Sequence, residues 1–113
     1  MSVCDLASRR CQPCEGGVDP VPEARCRELL AGLPGWHLTE PAIEKTYGFR
    51  NHYEAMAFVN LLAWVSHREN HHPEVVLGYR DVRVRYWTHA IGGLSENDFI
   101  CAAKIEKLLE ISG

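Results

Sequence analysis

Asn51-His52-Tyr53-Glu54-Ala55-Met56-Ala57-Phe58-Val59-Asn60-Leu61-Leu62-Ala63-Trp64-Val65-Ser66-His67-Arg68-Glu69-Asn70-His71-His72-Pro73 is the stretch around which the rest of the chain can be organised. Asn51 is a residue type that caps helices. Ala55, Phe58, Val59, Leu62 and Val65 then repeat at helical spacing, so a helix is expected to run to about Asn70. Met56, Leu61 and Trp64 widen the apolar face beyond one stripe, which calls for burial on more than one side and favours a subunit interface. Pro73 ends the pattern: the residue before a proline is driven out of helical geometry, so His72 is expected to be extended.

Upstream, Trp36-His37-Leu38-Thr39 and Ile43 to Phe49 alternate and are separated by Glu40-Pro41-Ala42, the pattern of an antiparallel hairpin. A short helix precedes it from Pro22 to Leu30, ended by Gly32, Pro34 and Gly35. Residues 1–20, with Pro13, Gly16, Gly17 and Pro20, have little apolar periodicity and read as a loop-like arm, leaving residues 21–113 as the folded domain. Downstream, Val75–Tyr79 and Val82–His89 form a second hairpin turning at Arg80-Asp81. In its second strand Val82, Val84, Tyr86 and Thr88 share one face, and Arg83, Arg85, Trp87 and His89 the other. Ser95-Glu96-Asn97-Asp98 resembles a capping box opening a last helix to about Leu109, whose apolar stripe is headed by Asp98. The order α-β-β-α-β-β-α with helices on one face of the sheet makes an α+β sandwich the simplest packing.

A chain of 113 residues supports one small domain, and at that size oligomerisation is a natural source of further burial. Its 12 Lys+Arg against 15 Asp+Glu, a formal net charge of −3, give no basic stripe for nucleic acid. No apolar run is long enough to span a membrane and the first residues lack a secretory pattern, so a cytoplasmic protein without membrane partners is expected. Five cysteines, four of them before residue 27, fit reduced thiols better than a disulfide scaffold.

The densest polar cluster is His67 to Pro73. His67 and His71 are four apart and would share a helical face if the helix lasts that far. Together with His89 and Asp98 these imidazoles could exchange protons near neutral pH, as general acid–base catalysis requires; the plainer alternative is a histidine cluster at a helix C-terminus, favoured by the dipole. A metal site is disfavoured because Arg68 stands where helical zinc enzymes place glutamate. Cys11-Gln12-Pro13-Cys14 is a C-x-x-C with Cys4 and Cys26 nearby; a small zinc knuckle and a flexible arm with free thiols both remain open. Trp36 and Trp87 could each wall a planar ligand or sit in a core or interface.

His67-x3-His71-His72-Pro73-x5-Tyr79-x9-His89-x8-Asp98, with Pro34-Gly35-Trp36, Thr88-His89 and Asn97-Asp98-Phe99-Ile100 in support, resembles the signature of the pterin-4a-carbinolamine dehydratases, over about Pro22 to Leu109. The resemblance implies four antiparallel strands with three helices on one side, assembled as homodimers or homotetramers. It also implies loss of water from 4a-hydroxytetrahydrobiopterin to give quinonoid dihydropterin, in support of tetrahydrobiopterin recycling, with no cofactor and no metal. By position His71 would be the main acid or base, His72 and His89 its partners and Asp98 an orienting carboxylate. His67, Asn70, Pro73, Trp36, Trp87, Thr88 and Ala90 would contribute to pterin binding. His67 occupies a position commonly acidic in that family, and Glu69, about 200° around the helix, is not expected to replace it. The same resemblance leaves a non-catalytic assembly module, or a related role in pterin or molybdopterin metabolism, as alternatives.

Overall fold

The computed structural model describes residues 2–12 and 19–112. Both expected hairpins form: β1 (His37–Thr39) pairs with β2 (Ala42–Gly48), and β3 (Glu74–Leu77) with β4 (Asp81–Tyr86). Antiparallel pairing of β2 with β4 joins them into one sheet in the order β1-β2-β4-β3. The register places Ile43 opposite Tyr86, Lys45 opposite Val84 and Tyr47 opposite Val82. Because side chains alternate across a strand, that row faces one way. Ile43, Tyr47, Val82, Val84 and Tyr86 are buried together with Phe58 and Leu62 of α3 (His52–Glu69) and Phe99 and Ile105 of α4 (Glu96–Ser112). On the opposite face Arg85 pairs with Glu44 at 3.1 Å and Glu74 at 3.4 Å.

β4 ends at Tyr86 rather than at His89. Its pairing with β2 stops at Ile43–Tyr86, and Ala42, the first residue of β2, pairs with Thr39 of β1 and not with β4. The chain then narrows to an isolated bridge between Thr88 and Gly93, and His89–Ile91 form a 3₁₀ turn closed by Gly92 at φ 63°. The alternation read from sequence still holds for burial through Thr88, which is 4% exposed.

The arm departs most from expectation. Val3–Ala7 form a helix, α1, with Ser2 and Asp5 making a reciprocal capping box. Its Leu6 is fully buried in the common core, and Lys104 of α4 donates to the carbonyl of Ala7 at 2.7 Å. A fourth helix therefore joins α2 (Glu23–Leu30), α3 and α4. Composition hid it because the helix has only five residues: Val3, Leu6 and Ala7 all pack toward the core, but so short a run is too brief for periodicity to register. Of the widened apolar face read from sequence, Met56 and Trp64 remain exposed and Leu61 is half-buried; Tyr53 of α3 is exposed beside them. No helix among the described residues is long and apolar enough to cross a membrane.

If α1 is an integral part of the core, Leu6→Ala should cost about 2–5 kcal/mol in urea unfolding. An unchanged midpoint would show that the arm contributes nothing to the fold.

Candidate active site

The site begins where α3 ends. Asn70 takes left-handed geometry, φ 51° and ψ 43°, which asparagine tolerates better than most residues. His71 N–H then caps the carbonyl of Ser66 at 3.1 Å. The helix thus stops three residues before Pro73, and His67 and His71 do not share a helical face. The reversal sends His71 inward, where its ring stacks on Tyr86 at 5.8 Å and 11° between planes, while His72 stays exposed.

His71 meets Asp98. The Asp98 side chain is fully buried, and its Oδ1 lies 2.6 Å from His71 Nε2. Its Oδ2 accepts from Thr88 Oγ1 and from the Ser95 backbone N–H, both at 2.9 Å. Ser95 Oγ, 2.7 Å from Thr88 Oγ1, must donate to it, because the single Thr88 hydroxyl hydrogen is committed to Asp98. Both partners of Oδ2 are thus donors, as an ionised carboxylate requires, and the same ionised group at Oδ1 takes its hydrogen from His71 Nε2, leaving Nδ1 as the ring nitrogen open to exchange. One arm of the expected capping box is made, Asp98 to Ser95 N–H, while the serine hydroxyl has turned to Thr88.

A cleft of about 730 Å³ opens in front of this pair. One wall is aromatic: Trp87 and His89 stack at 4.5 Å, and His72 and His89 at 6.2 Å. Arg85 lies over the Trp87 ring at 5.4 Å. Asn70, Thr88 and Ala90 also line the cleft. Three residues expected in it lie elsewhere. His67 is exposed on the last turn of α3, about 100° and 200° around the helix from Arg68 and Glu69, which do line the cleft. Pro73 is past the turn and outside the lining. Trp36 is buried and donates through Nε1 to Glu106 at 3.1 Å, sharing that carboxylate with Lys45 and Tyr47, one ring behind Tyr86. Burial, and then the negative Glu106, push the Tyr47 hydroxyl far above its usual range.

The opposite wall comes from the arm, which sequence reading left outside the site. Gln12 N–H donates to Asn97 Oδ1 at 3.0 Å and Asn97 Nδ2 donates back to the Gln12 carbonyl at 2.6 Å. Glu69, with a side chain only 3% exposed, accepts from Cys11 N–H at 2.9 Å and pairs with Arg10 at 3.0 Å. Burial raises the Glu69 carboxyl, but the Cys11 N–H and the nearby Lys104 and Arg10 charges outweigh it, so the group sits below the usual range. Cys11, Gln12, Arg68, Glu69 and Asn97 are thus cleft residues that sequence missed. The signal available was that Glu69 and Asn97 each adjoin a candidate site residue.

Cys4, Cys11 and Cys26 do not converge. Cys4 accepts from Lys107 at 3.4 Å, Cys26 donates to the Val21 carbonyl at 3.6 Å, and Cys11 turns to Cys101; Cys14 lies outside the described residues. Among the described residues no three His, Cys, Asp or Glu side chains group as a metal site.

Fold and cleft together define a small α+β protein with a histidine–aspartate centre facing an aromatic wall. The family model described as pterin 4 alpha carbinolamine dehydratase matches residues 19–108, and the chain belongs to that family. A protein of Dechloromonas aromatica named "Putative pterin-4-alpha-carbinolamine dehydratase" is 70% identical over 108 residues, 96% of each chain. One of the same name from Nitrosomonas eutropha is 57% identical, again over 96% of each chain. A crystal structure from Brucella melitensis described as a transcriptional coactivator/pterin dehydratase superposes with a TM-score of 0.76 at 28% identity, covering 80% of this chain and 98% of its own.

Because Glu69 sits lower in the folded chain than its ordinary value of 4.5, its contribution to stability is complete above that pH and is lost as pH falls through the lowered value. Urea unfolding from about pH 6 to about pH 3 should lose that part of its slope in Glu69→Gln. Identical profiles would show that Glu69 does not hold the arm.

Proposed function

We propose that this protein removes water from a 4a-hydroxytetrahydropterin, giving the quinonoid dihydropterin and supporting tetrahydrobiopterin recycling. The observation that carries the reading is the His71–Asp98 pair set in a cleft that also holds His72 and His89. The reaction needs a proton delivered to the departing 4a-hydroxyl and another taken from N5. Imidazoles that change charge near neutrality suit both tasks. His71, held in one tautomer by Asp98, exchanges its proton through Nδ1, and His72 and His89 serve as its partners. A flat bicyclic ring suits the Trp87–His89 stack, with Asn70, Thr88 and Ala90 at its edge. Asp98 is a positioning residue: it orients His71 and stabilises the cation formed when His71 takes up a proton.

On the same reading the protein acts in the cytoplasm and assembles as a homo-oligomer. The exposed apolar face of α3 supports the last of these. The coactivator role in the description of the Brucella structure suggests a second reading, an assembly module on the same fold. A cleft with its histidines and buried carboxylate intact favours catalysis.

The test is the decay of enzymatically generated 4a-hydroxytetrahydropterin with and without the protein. The wild type should accelerate it, and His71→Ala should lose about 10²–10⁴-fold with the fold retained. Asp98→Asn, which offers His71 an N–H in place of an acceptor, should also lose activity and shift the pH profile. Undiminished activity in His71→Ala would overturn the assignment, and no acceleration by folded wild type would favour the assembly reading.

A further inference from the structure

The arm carries a feature that the proposed reaction does not use. Cys11 Sγ lies 3.5 Å from Cys101 Sγ, in contact across 90 positions of the sequence. Cys11 is partly exposed and lines the cleft, whereas Cys101 is fully buried on α4, three residues after Asp98. Residues 10–12 belong to no helix or strand, and polar clasps from Glu69 and Asn97 hold them in place.

We propose that Cys11 and Cys101 are a reversible thiol–disulfide pair that fastens the arm to α4 beside the His71–Asp98 centre. The sulfurs must close from van der Waals contact to about 2.05 Å, a shift that an irregular segment can make more easily than a helix. Cys11, open to the cleft, is the thiol that meets a peroxide oxidant. Its thiolate attacks the O–O bond, forming a sulfenic acid and releasing hydroxide, which leaves as water with the proton Cys11 gave up. The Cys101 sulfur then attacks the sulfenic sulfur. The S–O bond breaks, and the departing hydroxide takes the Cys101 proton as a second water. Two thiols and one hydrogen peroxide thus become one disulfide and two waters, and a dithiol reductant reverses the change by exchange. The Cys11–Cys101 contact, together with burial, holds Cys101 as the protonated thiol until that step. The inference stands whatever reaction the cleft performs.

Cys14, three positions from Cys11 in the sequence, is the competing partner for a disulfide, and peptide mapping separates the two. After stoichiometric hydrogen peroxide, alkylation of free thiols and trypsin digestion, we expect residues 11–25 joined to residues 86–104. The protein should lose two hydrogens and two alkylatable thiols, and dithiothreitol should restore both. The cross-link should persist in Cys14→Ser and disappear in Cys11→Ser and in Cys101→Ala. A disulfide confined to residues 11–25, or peroxide-treated protein with every thiol still alkylatable, would overturn the proposal. Because the readout is a mass, failure of the dehydratase assay would not touch it.

Discussion

The buried carboxylate of Asp98 is the constraint around which the site is built. A charge removed from water in this way is tolerable only when each lone pair it presents meets a donor, since an unpaired buried ion costs several kcal/mol. The donors come from three different elements: the turn after α3, the bridge after β4 and the start of α4. Satisfying Asp98 therefore fixes where α3 must stop, how β4 leaves the sheet and how α4 is entered. The same contacts leave His71 in a defined tautomer at the edge of the cleft. Stability and the geometry of the cleft are coupled through one side chain.

A second set of contacts closes the cleft from the other side. Asn97 and Glu69 are neighbours of site residues, yet their side chains spend their hydrogen bonds on the backbone of residues 11 and 12. Side-chain-to-backbone pairing of this kind fixes an irregular segment without requiring a sheet. Leu6, buried in the core, anchors the arm further upstream. The arm is thus held by apolar burial at one end and by polar pairing at the other.

Much of the fold was legible in the residues. The strand alternation around Val82–Tyr86, the capped helix from Asn51 and the two hairpins each rest on local patterns of period two or 3.6. The end of α3 near Asn70 was legible too. The boundary that was misread is that of β4, whose pairing with β2 stops at Ile43–Tyr86, a limit set by the partner strand and not by the segment alone.

What the sequence by itself determined is the α+β order, the histidine-rich turn, and a carboxylate heading an apolar helix face. These follow from spacing, which is local. Only the tertiary structure decided that His71 and not His67 reaches Asp98, and that Trp36 serves Glu106 in the core. It alone brought the arm to the cleft and Cys11 against Cys101. Those outcomes depend on which buried polar groups find partners across the core, and burial and pairing exist only once the chain has folded.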